Sequence, residues 1–131
     1  MKPADAKDDG VVRRREIRSF VRREGRMTDG QQRALAELWP HYGVEKPAAP
    51  LDLARLFGRS APVVFEIGFG MGDYLLSRLV AEPERDFFGV EVHRPGLGRL
   101  LNRTRAAGRD NLRVAGADAV EVLRDWLGPD G

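Results

Sequence analysis

The sequence predicts an α/β fold built on a parallel, doubly wound sheet, and three observations carry the prediction. Three short runs rich in apolar, mostly β-branched or aromatic residues, at 62–67, 87–92 and 111–115, read as strands. Each is followed by an apolar pattern at helical spacing, at 73–82, 95–107 and 118–127. The links between them are short, so the strands are expected to lie parallel with right-handed crossovers.

Ahead of this alternation lies an extension with its own punctuation. Thr28-Asp29-Gly30-Gln31 has the form of a capping box, in which Thr28 takes the free N–H of Gln31 and Gln31 reaches back. The helix it opens is expected to run from about residue 29 to 38 and to stop at Pro40. Leu35, Leu38 and Trp39 fall on one side and should dock on a core. Residues 46–50, with two prolines, read as a linker, and 51–57 as a short helix closed by Gly58. The first strand, at 62–67, reads as buried and ends in a glycine cluster. Leu75, Leu76, Leu79 and Val80 give the next helix its apolar side. Pro95 suits the first turn of the second helix and Gly108 its end. The expected domains are residues 1–60, a basic helical extension, and 61–131, three βα units. Three strands make half of such a sheet, and the closing Gly128-Pro129-Asp130-Gly131 is a turn of the kind that leads into another strand. The reading is therefore an incomplete fold whose last strand leaves an open apolar edge.

Composition narrows the chemistry. With no cysteine among 131 residues, disulfides, thiolate metal sites and thiol catalysis are excluded. His41 and His93 make no metal spacing, so no metal is expected. No apolar run reaches a membrane span and the start has no signal-peptide core, so the expected setting is cytoplasmic, with a monomer as the default. The net charge of +2 conceals an arginine-rich stretch: Arg13, Arg14, Arg15, Arg18, Arg22, Arg23 and Arg26 stand against Glu16 and Glu24. One reading is a solvated arm and the other a phosphate-binding arm, for which arginine is well suited.

The most informative stretch is Glu66-Ile67-Gly68-Phe69-Gly70-Met71-Gly72-Asp73. Alternating glycines between a strand and a helix let the backbone turn sharply and approach a ligand near a helix N-terminus. Dinucleotide-binding loops look similar, but here Asp73 stands where their third glycine belongs and would repel a pyrophosphate. Glu66, at the strand's end, suits a ligand with a cationic amino-acid end, such as S-adenosylmethionine; the alternative is a carboxylate that caps nearby N–H groups. Glu91 comes 19 residues after Gly72, where such folds keep the acid that accepts from ribose hydroxyls. Asp118 follows the third strand and is read as an acceptor for the adenine amine, as the N-cap of the third helix, or as both. Ala117 and Ala119 are small enough for a flat base to lie close, and His93 either flanks the ligand or is a surface residue.

Three segments together resemble one family. Residues 18–28, 65–72 and 89–96, with 118–123 extending the match, are similar to the bacterial tRNA (guanine-N7)-methyltransferases. The resemblance covers nearly the whole chain from Arg18 onward. It implies a Rossmann-like class I methyltransferase fold and transfer of a methyl from S-adenosylmethionine to N7 of a guanosine in the tRNA variable loop. By position, Glu66, Gly68, Gly70, Glu91, His93, Asp118 and Ala119 would line the cofactor pocket, and Arg18, Arg22, Arg23 and Arg26 would touch the tRNA backbone. The family continues with further strands and a Pro-Asp-Pro-Trp-Pro type motif with a basic run, which this sequence lacks. No catalytic residue is assigned here, and the chain alone is expected to be inactive. Three rival readings stay open: part of an NAD(P)-dependent oxidoreductase, an RNA-binding module without activity, and a methyltransferase of this fold with another substrate.

Overall fold

The computed structural model describes residues 27–127. Its first element, α1 (Asp29–Tyr42), opens with the expected capping box: Gln31 N–H donates to Thr28 Oγ1 and Thr28 N–H to Gln31 Oε1, both at 3.1 Å. The helix does not stop at Pro40 but carries on to Tyr42. Pro40 removes only one N–H, and the carbonyl it would have served, on Ala36, lies on the exposed side. Beyond it the last turn is anchored from outside, because Tyr42 is buried and its hydroxyl donates to the Arg109 carbonyl at 2.7 Å. Tertiary packing here outweighs a local stop signal.

The chain then runs along the sheet, with Val44 N–H donating to the Val114 carbonyl at 2.8 Å, before α2 (Leu53–Phe57). Asp52 caps that helix and Gly58 ends it in the left-handed region, φ 80°. The alternation follows as read: β1 (Val63–Ile67), α3 (Asp73–Ala81), β2 (Asp86–Val90), α4 (Arg94–Ala106) and β3 (Leu112–Ala115). Last comes α5 (Ala119–Glu121), which passes into a π-helical turn at Val122–Trp126 where the sequence suggested one continuous helix.

The sheet order is β1-β2-β3 and both pairings are parallel. Helices pack on both faces. Leu75 and Leu79 of α3, Leu97, Leu100 and Leu101 of α4 and Ala34 and Leu38 of α1 form one core layer with Phe87, Leu112 and Val114. Phe57, Val122 and Trp126 form the other with Phe88, Val90 and Ala115. The N-terminal helix is thus built into the same core as the βα units. It lies so close to α4 that a Cβ on Gly98 would sit 2.6 Å from the Gln31 carbonyl oxygen.

Two expectations about burial are corrected. β1 was read as buried, yet its residues are only partly covered and Ile67 is exposed, because β1 is at the sheet's edge and β2, buried throughout, is the central strand. The open edge was assigned to the last strand. β3 does lie at one edge of the sheet, but it is buried along its length and Val114 is bridged by the Gly43–Val44 segment, while β1 forms the other, more exposed edge among the described residues.

Candidate functional site

A parallel sheet brings the C-terminal ends of its strands to one edge, and in this chain the candidate cofactor residues lie in or just after those strand ends. The register pairs Ile67 with Val90 and Val90 with Ala115, so Gly68, Glu91 and Gly116 are the first residues past three adjacent strands. Glu66 is the penultimate residue of β1, and Asp118 stands just before α5.

The glycine loop has the shape that its spacing suggested. Gly68, Gly70 and Gly72 have φ of 68°, 63° and 84°, all left-handed. A Cβ on Gly68 or Gly70 would meet nothing within 4 Å, so the loop presents bare backbone to open space there. At Gly72 it would press on Leu100 at 3.0 Å, which makes that glycine a packing residue as well. The loop is tied to β2 by Gly68 N–H donating to the Val90 carbonyl at 2.8 Å.

Glu91 does more than the sequence indicated. It is buried, and three backbone donors satisfy it: Gly70 N–H meets Oε1 at 2.6 Å, and the N–H groups of Val92 and His93 both meet Oε2 at 3.1 Å. A carboxylate offers about four lone-pair sites, so one remains after these three bonds. Glu66 is the opposite case. It is half-buried, it makes no hydrogen bond or ion pair among the described residues, and so the capping role weighed for it is absent. Its charge is felt by Arg78 of α3, although that guanidinium is held above its ordinary value first by its hydrogen bond to Glu82.

The remaining residues divide. Asp118 is the N-cap of α5, with Val120 N–H donating to Oδ1 at 3.0 Å. Ala117 and Ala119 pack partly against the second core layer. His93 is the N-cap residue of α4, but its side chain forms no capping bond. Asp73, at the start of α3, is paired with Arg99 at 3.2 Å. Arg18, Arg22, Arg23 and Arg26 lie outside the described residues.

Gly89 and Gly96, at the two ends of the 89–96 segment, turn out to be packing residues. A Cβ on Gly96 would fall 1.8 Å from the Gly70 carbonyl oxygen, so α4 and the loop touch backbone to backbone. Gly89 makes room in β2 for the Phe69 ring, 2.8 Å from where its Cβ would be. The signal for each was present: a glycine one turn into a helix after Pro95, and a glycine inside a strand. A separate cleft of about 990 Å³ opens beside β3, lined among others by Trp39, Lys46, Arg94 and Trp126. It reaches Val92 and Ala117 but none of the seven candidate cofactor residues. Among the described residues, no group of three acidic or histidine side chains gathers as a metal site, and no helix is long and apolar enough to cross a membrane.

A glycine loop between β1 and α3, an acid closing β2 and an acid after β3 thus line one edge of the α/β sheet, and comparison with known proteins says to which family the chain belongs. Residues 60–130 match the model of a family described as "Putative methyltransferase", and the chain belongs to that family. Among curated proteins it is similar to the tRNA (guanine-N(7)-)-methyltransferase of Saccharophagus degradans, 56% identical over 119 residues, which is 91% of this chain and 52% of that protein. The protein of the same name from Halorhodospira halophila is 58% identical over 86% of this chain and 49% of its own length. That of Edwardsiella ictaluri is 61% identical over 88% of this chain and 48% of its own. The chain spans about half the length of the curated relatives it matches.

Proposed function

We propose that this chain is the cofactor-binding part of a tRNA (guanine-N7)-methyltransferase and that it binds S-adenosylmethionine at the C-terminal ends of β1, β2 and β3. The observation that carries this is the pairing of open backbone with uncommitted charge. Gly68 and Gly70 face empty space, and the half-buried Glu66 carboxylate beside them has no partner among the described residues. Such a carboxylate suits a cationic ligand, since a partly desolvated charge gains most from an opposite one. A pyrophosphate would instead meet Glu66 and Asp73. The residues present therefore fit an adenosine sulfonium better than a dinucleotide.

When bound, the cofactor supplies an electrophilic methyl carbon on a sulfonium. Glu66 receives its amino-acid end and the bare loop at Gly68 and Gly70 lets it approach. Glu91 accepts from a ribose hydroxyl through its remaining lone pair. Asp118 with the neighbouring Ala119, and His93 at the start of α4, border the adenine. Guanine N7 has an in-plane lone pair and no proton to lose, so the reaction asks for alignment and exclusion of water more than for a base. No residue of this chain is assigned a catalytic role. Residues 61–131 are the cofactor-binding unit and residues 1–60 the basic extension, whose Arg18, Arg22, Arg23 and Arg26 contact tRNA phosphates, in a cytoplasmic setting.

The reading is tested by isothermal titration of the chain with S-adenosylhomocysteine and, separately, with NADH. Saturable 1:1 binding of the former, weakened about tenfold or more by Glu66→Gln, supports it. Binding of NADH alone overturns it.

A further inference from the structure

We infer that the outward half of α4 is a second RNA-binding surface, a ridge of arginines that takes the phosphate backbone of the substrate; this rests on the proposed tRNA reading. Residues 94–109 contain Arg94, Arg99, Arg103, Arg105 and Arg109 and neither Asp nor Glu. At 100° per residue, Leu97, Leu100, Leu101 and Thr104 bury one side of α4. Arg94 and Arg105 then fall on one shoulder of the solvent side, and Arg99 and Arg103 on the other.

What marks this helix is a density of arginines without neutralising partners among the described residues. Elsewhere several arginines are matched, as in Arg59–Asp86, Arg78–Glu82, Arg113–Asp110 and Arg124–Asp125, and Arg33 and Arg55 are single unmatched arginines on their helices. On α4, Arg99 is paired with Asp73, but Arg94, Arg103 and Arg105 are exposed and form no ion pair or hydrogen bond among the described residues. Asp110, which follows the helix, is engaged by His41 and Arg113. Three exposed guanidiniums without acid partners among the described residues give the outward half of this helix a positive charge that a polyanion neutralises, and arginine forms bidentate bonds with phosphate.

The geometry favours RNA over an acidic protein. α4 begins directly after the Glu91–His93 turn, so the ridge leads away from the candidate site, and Arg94 to Arg105 spans about 16 Å, the scale of several phosphates. A protein interface needs an apolar centre. The exposed large apolar residues, Ile67, Met71, Tyr74, Val120 and Leu123, all lie off this helix.

The test compares two double variants of equal charge change, Arg103→Gln/Arg105→Gln on the ridge and Arg55→Gln/Arg124→Gln away from it. Each is titrated with unmodified tRNA between about 50 and 200 mM salt. Each lost phosphate contact lowers the slope of log K against log salt by about 0.7–0.9. The ridge pair should therefore lower it by about 1.5 and weaken binding about tenfold or more. The distant pair should change the slope by less than half as much, and an Arg103→Lys/Arg105→Lys pair should keep most of it. Affinity for S-adenosylhomocysteine should stay within twofold in all three, which reports an intact fold. Equal slopes for the two Gln pairs, with S-adenosylhomocysteine still bound, overturn the ridge alone. Loss of S-adenosylhomocysteine binding in the unmodified chain overturns the enzyme reading on which it rests.

Discussion

The Glu91 carboxylate and the Gly70 N–H, 21 residues apart in the chain, meet at 2.6 Å, and this bond fastens the glycine loop to the end of β2. A hydrogen bond to a charged acceptor is worth about 1.5–3 kcal/mol. Glu91→Gln keeps the size and loses the charge, so unfolding in urea should show a loss of about 1–2 kcal/mol. Affinity for S-adenosylhomocysteine should fall about tenfold. Amide exchange at Gly70 should speed up in the free variant, and an unchanged rate would show that the carboxylate does not hold the loop.

Gly96 and Gly98 separate the site from the scaffold. Alanine at either position drives a Cβ into a backbone oxygen, of Gly70 at 1.8 Å or of Gln31 at 2.6 Å. Both variants should lose about 1–3 kcal/mol of stability through overpacking. Only Gly96→Ala should move the loop, so titration at a temperature where both are folded should show ligand affinity lost in Gly96→Ala and largely kept in Gly98→Ala.

Gly70→Ala probes the loop without a clash. Nothing lies within 4 Å of the added Cβ, and the residue's φ is 63°. Strain in the left-handed region, about 1–2 kcal/mol, is the expected loss of stability. The methyl group would project into the space assigned to the cofactor, so ligand affinity should drop by far more than stability. Equal affinity in the variant and the unmodified chain would place the ligand elsewhere.

Tyr42 gives the fold an alkaline limit. Burial raises its phenol above the usual value of 10.0, with Asp110 adding to the shift and Arg113 and Arg105 opposing it. A raised value in the folded chain means a contribution that is complete below about pH 10 and is lost as pH rises through the higher folded value. Tyr42→Phe removes the bond to the Arg109 carbonyl. It should cost about 1 kcal/mol at neutral pH and flatten the stability curve above pH 10, as followed by urea unfolding across that range.

Periodicity and punctuation made the βα alternation readable, because a strand of apolar residues ending in glycines and a helix ending in Gly are local patterns. The capping box at Thr28 and the left-handed Gly58 are local in the same way. What stayed hidden depends on partners far along the chain. The helix runs past Pro40 because Tyr42 reaches Arg109, 67 residues on. The edge of β3 is covered because Val44 reaches Val114, and β1 is the half-exposed strand because of where the sheet order places it. At the site, residue types and spacing pointed to Glu66, Glu91 and Asp118. They could not show that Glu91 fastens the loop while Glu66 has no partner among the described residues, since that is settled by side-chain geometry across two strands.

The most direct test of the account follows backbone amide shifts of the chain during titration with S-adenosylhomocysteine. Binding at the ends of the three strands predicts the largest changes at Gly68, Gly70, Glu91 and Ala119. Changes confined to the cleft between Trp39 and Trp126, or none at saturating ligand, would contradict it.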